Sequence, residues 1–544
     1  MTRPRASMVV IGQVLVAARR GGLETAEALG IADGRVVSVG PRTDVVEGAA
    51  ADARVLDAGP AAVLPGLHDF HLHLVGMARA RREVTLDAAA DFEAVVATVK
   101  AAAARLAADG WLRGRGWHEA AVAGDLQRLE EAVGGRPALL YSHDGHSAWA
   151  SAAALRRAGL QTLSGDPPGG RLERNAVGAP SGLLRERATD LVDAVAGRLV
   201  GSELDDALDE ALHELAAMGI TGAVDAGDSS ADNGVGEYAF LGDRASLLMA
   251  ARQRLDGRIR LTINLPAEAI AAAAEAGLRT GAPLPDTATQ RVGWAKAFVD
   301  GALGSRTAAL FAPYSCGPGG DTGIPRLTPE ELDALFAAGR SAGIGLAVHA
   351  IGDRGAATVL DAIERAPQRT LGVPPDRIEH LQLLRPADRP RLAANDVTAS
   401  VQPVHCAADR PLVEACWAAR TALAYPWRSL VEAGARLAFG SDAPIESANL
   451  WLGIFAALHR RRPADGTPDW HPEQALEIGA AIAGYTLGPA TAADRADEGH
   501  LRPGARADLA ILDVDLATLL RGDEALAAVR SDVTMVGGVE VHRS

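Results

Sequence analysis

The sequence predicts an α/β protein: a (β/α)₈ barrel of the TIM type, with a β-sandwich built from both termini and an insertion after the first barrel strand. Three observations predict it. Eight strand-like runs alternate with helical periodicity through the middle of the chain, and both ends read as all-β. Polar, chemistry-bearing side chains also recur at the carboxyl ends of the strand-like runs, where barrel enzymes keep their active sites.

The N-terminal strands are "MVVIGQVLVAA", "AEALGIADGRVVSVG" and "ARVLDAG", with Asp33-Gly34 as a hairpin signal. "GHLRPGARADLAILDVD" and "VTMVGGVEVHR" answer at the other end, so residues 1–62 and 494–544 are expected to pair into one sandwich. Residues 63–84 hold barrel strand 1, in the run "AVLPGLHDFHLH". Residues 85–200 break the alternation with Ala-rich helices and Gly/Pro turns, and are expected to cap the barrel mouth. The rest of the barrel occupies residues 201–493, with strands in "GITGAVDAG", "RIRLTINL", "RVGWAKAFVDG", "GIGLAVHAIG", "RIEHLQLL", "DVTASVQP" and "ARLAFGSDAP". Between them lie helical stretches such as "SELDDALDEALHELAAMG" and "TPEELDALFAAGRSAG"; the second opens on a capping box, Thr328 with Glu331.

Of the 544 residues, 48% are hydrophobic and 23% charged, as in an ordinary globular protein. No apolar run approaches the roughly 20 residues of a membrane span, and the Val- and Ile-rich start reads as a strand, not a signal peptide. A net charge of −15 argues against nucleic acid or an anionic membrane as partner. Cys316, Cys406 and Cys416 show neither CxxC nor Cys/His spacing, so a reduced, cytoplasmic protein is expected. Only two of the 54 basic residues are lysines, Lys100 and Lys296. Where a cation merely needs solvation this chain uses Arg, so a lysine inside an apolar run asks for a reason.

Three histidines and an aspartate crowd into "LPGLHDFHLHL". Strand alternation places Asp69, His71 and His73 on one face and His68 and Phe70 on the other. Two imidazoles converging on the barrel mouth can ligate one metal ion; hydrogen-bonded core histidines are the bland alternative. His349, His380, Asp442 and Lys296 then fall near the ends of strands 5, 6, 8 and 4, a set hard to assemble by chance. An ammonium is a poor ligand, but a desolvated neutral amine can take up carbon dioxide to give a carbamate, a carboxylate able to bridge two cations. The plainer reading pairs Lys296 with Asp300, four residues on; Arg would have served there.

"PGLHDFHLH", Lys296, His349, His380, "GSDAP" and the tail "EGHLRPGARADLAILD" resemble the metal-dependent amidohydrolase superfamily over almost the whole chain. "WLRGRGWHEA", "YSHDGHSAWASAAAL", "KAFVDGALGSRTAAL" and "VHAIGDRG" are similar to amidohydrolase family 3, the subgroup typified by N-substituted formamide deformylases. His68 stands where that family usually has an apolar residue. The resemblance and the strand geometry imply that His71, His73 and Asp442 hold one Zn²⁺-like ion and that His349 and His380 hold another, with carbamylated Lys296 between them. Mn²⁺ or Co²⁺ could take the same places. A water between two cations ionises near neutrality, and Asp442 would relay its proton to the leaving nitrogen.

The implied reaction is hydrolysis of a C–N bond in a small amide, formamide or cyclic amide, and ester or carbamate hydrolysis would need little change. Trp117, His143, His146 and Arg306 are candidate substrate contacts, each of which could equally be packing; Trp149 reads as core. Two rivals stand beside this reading. One is a mononuclear deaminase, for which Glu379 is expected on the wrong strand face; the other is a non-catalytic, regulatory relative, although all six ligand positions are filled. The oligomeric state, homo-oligomer included, is left open.

Overall fold

The computed structural model describes residues 4–87, 91–107, 109–118, 126–197, 199–227, 234, 236–317 and 319–544. Eight parallel strands form the barrel: β1 (Leu67–Leu72), β2 (Ile220–Asp225), β3 (Arg260–Pro266), β4 (Gln290–Phe298), β5 (Leu346–Ala350), β6 (Arg377–His380), β7 (Thr398–Val401) and β8 (Arg436–Phe439). Each falls on one of the eight runs read from the sequence, with β3 and β4 running one residue past theirs, at Pro266 and Gln290, and each from β2 onward pairs with its predecessor. Helices cover the outside by amphipathic spacing. In Ser202–Ala217 the buried positions are Leu204, Ala207, Leu208, Ala211, Leu212, Leu215 and Ala216, one stripe of a 3.6-residue repeat. The capping box forms as expected: Thr328 Oγ1 accepts from Glu331 N–H at 3.2 Å and the Glu331 carboxylate accepts from Thr328 N–H at 2.8 Å.

The seam between β8 and β1 closes the barrel without a regular ladder. Asp442 N–H donates to the His71 carbonyl at 2.7 Å, and His73 N–H donates to the Ala443 carbonyl at 2.7 Å. Asp69 does not join the histidine face as strict alternation predicts. Its carboxylate accepts from the backbone amides of His71 (3.1 Å) and Ser441 (2.9 Å) and from the Ser441 hydroxyl, pinning the seam. The reason is a register shift between β1 and β2: Asp69 pairs with Ala223, but the next pair is Leu72 with Asp225. The extra β1 residue is a bulge, which re-aims side chains. Phe70, expected on the far face, therefore packs inside the barrel edge-on to Trp294, with Val224, Ala347 and Ala438.

The two chain ends pair into one seven-stranded sheet, ordered Val539–Arg543, Ser531–Val536, Leu509–Asp515, Arg54–Pro65, Met8–Arg19, Gly22–Ala32, Arg35–Gly40. Val10, Val14, Leu29, Val63, Leu509, Ile511 and Met535 bury a core shared by both termini. Between β1 and β2 the chain builds a separate six-stranded sheet from Val84–Thr85, Leu112–Trp117, Ala138–Ser142, Ser147–Ala150, Gly170–Arg174 and Pro180–Glu186. The Ala helices dominate the reading of that segment in sequence; its strands are short and interrupted by glycine. Trp117 and Trp149 both lie in its core.

Cys316 and Cys416 form a disulfide, which corrects the expectation of three reduced cysteines, and Cys406 is free and buried. The pair is 100 residues apart in sequence, and only the convergence of the loop after β4 with the end of helix Pro403–Cys416 brings it together. No helix among the described residues is long and apolar enough to cross a membrane. Cross-links closing long loops typically contribute about 2–5 kcal/mol. Replacing both cysteines by serine should lower the thermal midpoint in the absence of reductant and change nothing in its presence, as read by calorimetry; equal midpoints without reductant would mean the bond does not form.

Candidate metal centre

His71, at the end of β1, and His73, just beyond it, both face Asp442 after β8. Their Nε2 atoms stand 3.3 and 3.2 Å from one carboxylate oxygen, Asp442 Oδ1. Its other oxygen, Oδ2, lies 3.0 Å from Nε2 of His405. Among the described residues two groups of donor atoms able to hold a metal ion result, His71/His73/Asp442 and His380/His405/Asp442, with the ligand atoms of each within 4.8 Å of one another. Asp442 belongs to both. Its backbone has φ +61° and that of His380 φ +74°. These left-handed conformations, uncommon outside glycine, turn both side chains off the strand direction at the barrel mouth.

His349 is the last residue but one of β5, its ring 4.5 Å from that of His380, and its Nε2–H donates to the Gly301 carbonyl at 3.2 Å, which leaves Nδ1 as the candidate ligand atom. Nδ1 of His380 is buried without a hydrogen-bond partner among the described residues. In a folded interior such an atom is costly unless something binds it. Burial drives His73 down to about 4 and holds His349 and His380 well below the usual imidazole range. All three are therefore neutral at pH 7 and keep a lone pair to donate.

Lys296 on β4 is 1% exposed. It is not paired with Asp300: that carboxylate instead accepts from the amides of Ala309 (2.8 Å), Ile351 (3.1 Å) and Gly352 (2.8 Å). Burial pulls the lysine down to about 8 in spite of Glu379 and Asp442 nearby. Its Nζ lies 4.7 Å from the Phe298 ring centroid and is an electrostatic neighbour of His71, His349 and His380.

Two residues here escaped the sequence reading. His405 follows "DVTASVQP", and the rule that sites gather at strand ends could have found it, since strand 7 alone among the later strands seemed to contribute nothing. Glu379 was expected to face away. With Arg377 it occupies the inward positions of β6, and its Oε2 accepts from Nδ1–H of His71 at 2.6 Å. That bond fixes the tautomer and leaves Nε2 of His71 toward Asp442. Arg377 pairs with the other Glu379 oxygen, donates to the Phe70 carbonyl at 2.9 Å and stacks on the Phe70 ring at 4.3 Å. Despite burial, the charges of Arg377 and His71 hold Glu379 well below the ordinary carboxylate range.

The centre opens into a cavity of about 1120 Å³ walled by the strand ends, the loop after β4 and the inserted sheet. All four candidate substrate contacts border it. His146 lies 5.0 Å ring to ring from His349 and is held by Glu186 at 3.0 Å, itself bound by Arg326 at 3.0 Å. His143 spans Asp87 of the insertion (2.9 Å) and Glu446 after β8 (3.2 Å), which push its pKa up to about 10 against the effect of burial. Trp117 is 2% exposed and spends its indole N–H on the Leu140 carbonyl at 2.7 Å. Arg306 reaches the wall from a residue with φ +53°.

A barrel with imidazoles and carboxylates gathered at its carboxyl mouth, joined to a sheet from both termini, is the architecture of a metal-dependent hydrolase. The sequence profile of the amidohydrolase family matches residues 54–542, and the chain belongs to that family. YtcJ of Bacillus subtilis strain 168, an amidohydrolase by name, is 30% identical over 84% of each chain. N-substituted formamide deformylase of Arthrobacter pascens is 27% identical over 95% of this chain and 96% of its own. An uncharacterized metal-dependent hydrolase from Pyrococcus horikoshii superposes with a TM-score of 0.73 at 26% identity, over 95% of this chain and 99% of that one.

Because Glu379 orients His71, a candidate ligand, Glu379→Gln should weaken divalent-metal affinity by roughly the 10–100-fold typical of lost outer-shell partners. Chelator competition reads this directly. Unchanged affinity would mean that packing alone positions His71.

Proposed function

We propose that this metal-dependent hydrolase cleaves a carbon–nitrogen bond in a small amide, formamide or cyclic amide. The observation that carries the reading is Asp442, whose two oxygens face different histidines within two donor groups. The donor set fits divalent ions of the Zn²⁺, Mn²⁺ or Co²⁺ class: the neutral imidazoles of His73, His349 and His380, an ionised carboxylate and, among the described residues, a buried His380 nitrogen without a partner. His71, His73 and Asp442, the first donor group, would hold one ion; His380 of the second group would hold the other together with His349, while His405 stays on the Asp442 carboxylate. Such ions supply Lewis acidity, lowering the pKa of water toward neutrality and polarising a carbonyl.

Lys296 fits the carbamate role. Its amine is partly neutral near pH 8, its nitrogen can bond the carbon of CO₂ with loss of a proton, and among the described residues no competing carboxylate stands in ion-pair contact with it. Asp442 is the proton carrier, taking a proton on its carboxylate and delivering it to the leaving nitrogen. His405 steadies that carboxylate from the side opposite His71 and His73. His146, Trp117, His143 and Arg306 bound the space for the rest of the substrate. Glu379 faces inward but is engaged by Arg377 and His71, which argues against its serving as the ring-protonating acid of a deaminase.

A hydrolysis screen of Zn²⁺-loaded enzyme against N-formyl amines, aryl amides, lactams and esters tests the assignment; turnover of esters alone would overturn it. Dialysis against a chelator should abolish activity and divalent metal should restore it, whereas full rate in protein shown to be metal-free would refute the metal's role. Asp442→Asn should lower kcat by at least the ~10²–10⁴-fold typical of a lost acid–base group, and an unchanged kcat would give the proton to another residue. Lys296→Arg keeps the charge but cannot form a carbamate. It should bind less metal by elemental analysis and lose nearly all activity, and an active variant with two ions per chain would remove Lys296 from the centre.

A further inference from the structure

The strand Leu112–Trp117 reads "LRGRGW", and its alternation has a use that the metal centre does not explain. Gly114 and Gly116 occupy tight positions. A Cβ on Gly114 would sit 2.9 Å from both Leu140 and the Val84 carbonyl, and one on Gly116 would meet the Asp87 carboxylate at 2.4 Å. The strand is thus pressed against its neighbours where the glycines lie. Arg113 and Arg115 are the alternate residues, and both line the metal cavity.

The two arginines differ in their partners. Arg113 is neutralised by Glu83 at 3.3 Å and Asp193 at 2.7 Å. Arg115 has no hydrogen bond or ion pair from its guanidinium among the described residues. The carboxylates whose charge reaches it are Glu83, Asp87 and Asp442, and each is already engaged: Glu83 by Arg113, Asp87 by His143 and Asp442 by the histidines. Arg244 adds a second cation nearby, its Nη1 3.3 Å from Nδ1 of His73. A guanidinium presenting its donors to a cavity suits a planar anion, which it binds bidentately.

We infer that Arg115 is the anion-binding element of the substrate site and that the substrate is an amide carrying a carboxylate. The scissile bond lies at the metal centre and the carboxylate at the inserted strand. The inference rests on the amide-hydrolase reading for the first of these placements only.

The test uses a matched pair differing by one carboxylate, N-formylphenylalanine (both enantiomers) and N-formylphenethylamine, with Zn²⁺-loaded full-length enzyme. The wild type should favour the better enantiomer of the acid by tenfold or more in kcat/KM. Arg115→Gln should bring that ratio close to one, and Arg115→Lys should keep an intermediate preference. A wild-type ratio of one or less, or one that Arg115→Gln leaves intact, overturns the inference. If neither compound is turned over, the amide-hydrolase reading fails for this pair and binding decides separately. 3-Phenylpropionate should raise the thermal midpoint of the wild type and not of Arg115→Gln. Equal stabilisation of both would place the carboxylate elsewhere and end the proposal.

Discussion

Closure of the barrel between β8 and β1 is the constraint on which the rest of the centre depends. The backbone bonds that join Asp442 to His71 and His73 to Ala443 also set three candidate ligand side chains against one another. Folding energy and site geometry are therefore one and the same at this seam. Asp69 shows the cost. Burial raises its carboxyl to about 6 even though Ser441 and His71 donate hydrogen bonds to it. A fully buried acid is retained because it ties together amides that no regular ladder satisfies.

Beneath the seam runs a buried polar column, Phe70 carbonyl to Arg377 to Glu379 to His71. Burying charges is expensive, and the column is tolerable because each group has a partner and two aromatic rings flank the guanidinium. Breaking one link would strand a charge in the interior, at roughly 3–5 kcal/mol. The likeness of this barrel to other solved structures is a likeness of scaffold; what this chain adds is the set of side chains that the column holds in register.

The barrel was legible because its signals are local and repeated: every one of the eight strands announces itself by a short apolar run, and His71, His73, His349, His380 and Asp442 stand at strand ends. What escaped was non-local or broke the period. One bulged residue in β1 turned Asp69 toward the seam and Phe70 into the interior, and period-two reasoning has no means of seeing a bulge. Glu379 faces inward because His380, at positive φ, leaves the strand before alternation can be applied to it. The Cys316–Cys416 bond joins a loop and a helix end that meet only in three dimensions. The inserted sheet hid behind its own glycines, which lower strand propensity while allowing the close packing seen at Gly114 and Gly116.

The inserted sheet and the barrel mouth divide the cavity wall between two independently built pieces. Candidate ligands come from β1, β4, β5, β6 and the segments after β7 and β8, whereas Arg113, Arg115, His143 and His146 come from the insertion. Selection can therefore rewrite one wall without disturbing the other. A lineage that kept its strand ends and varied residues 85–200 would change what it accepts while preserving how it reacts, and substrate range would diverge faster than chemistry.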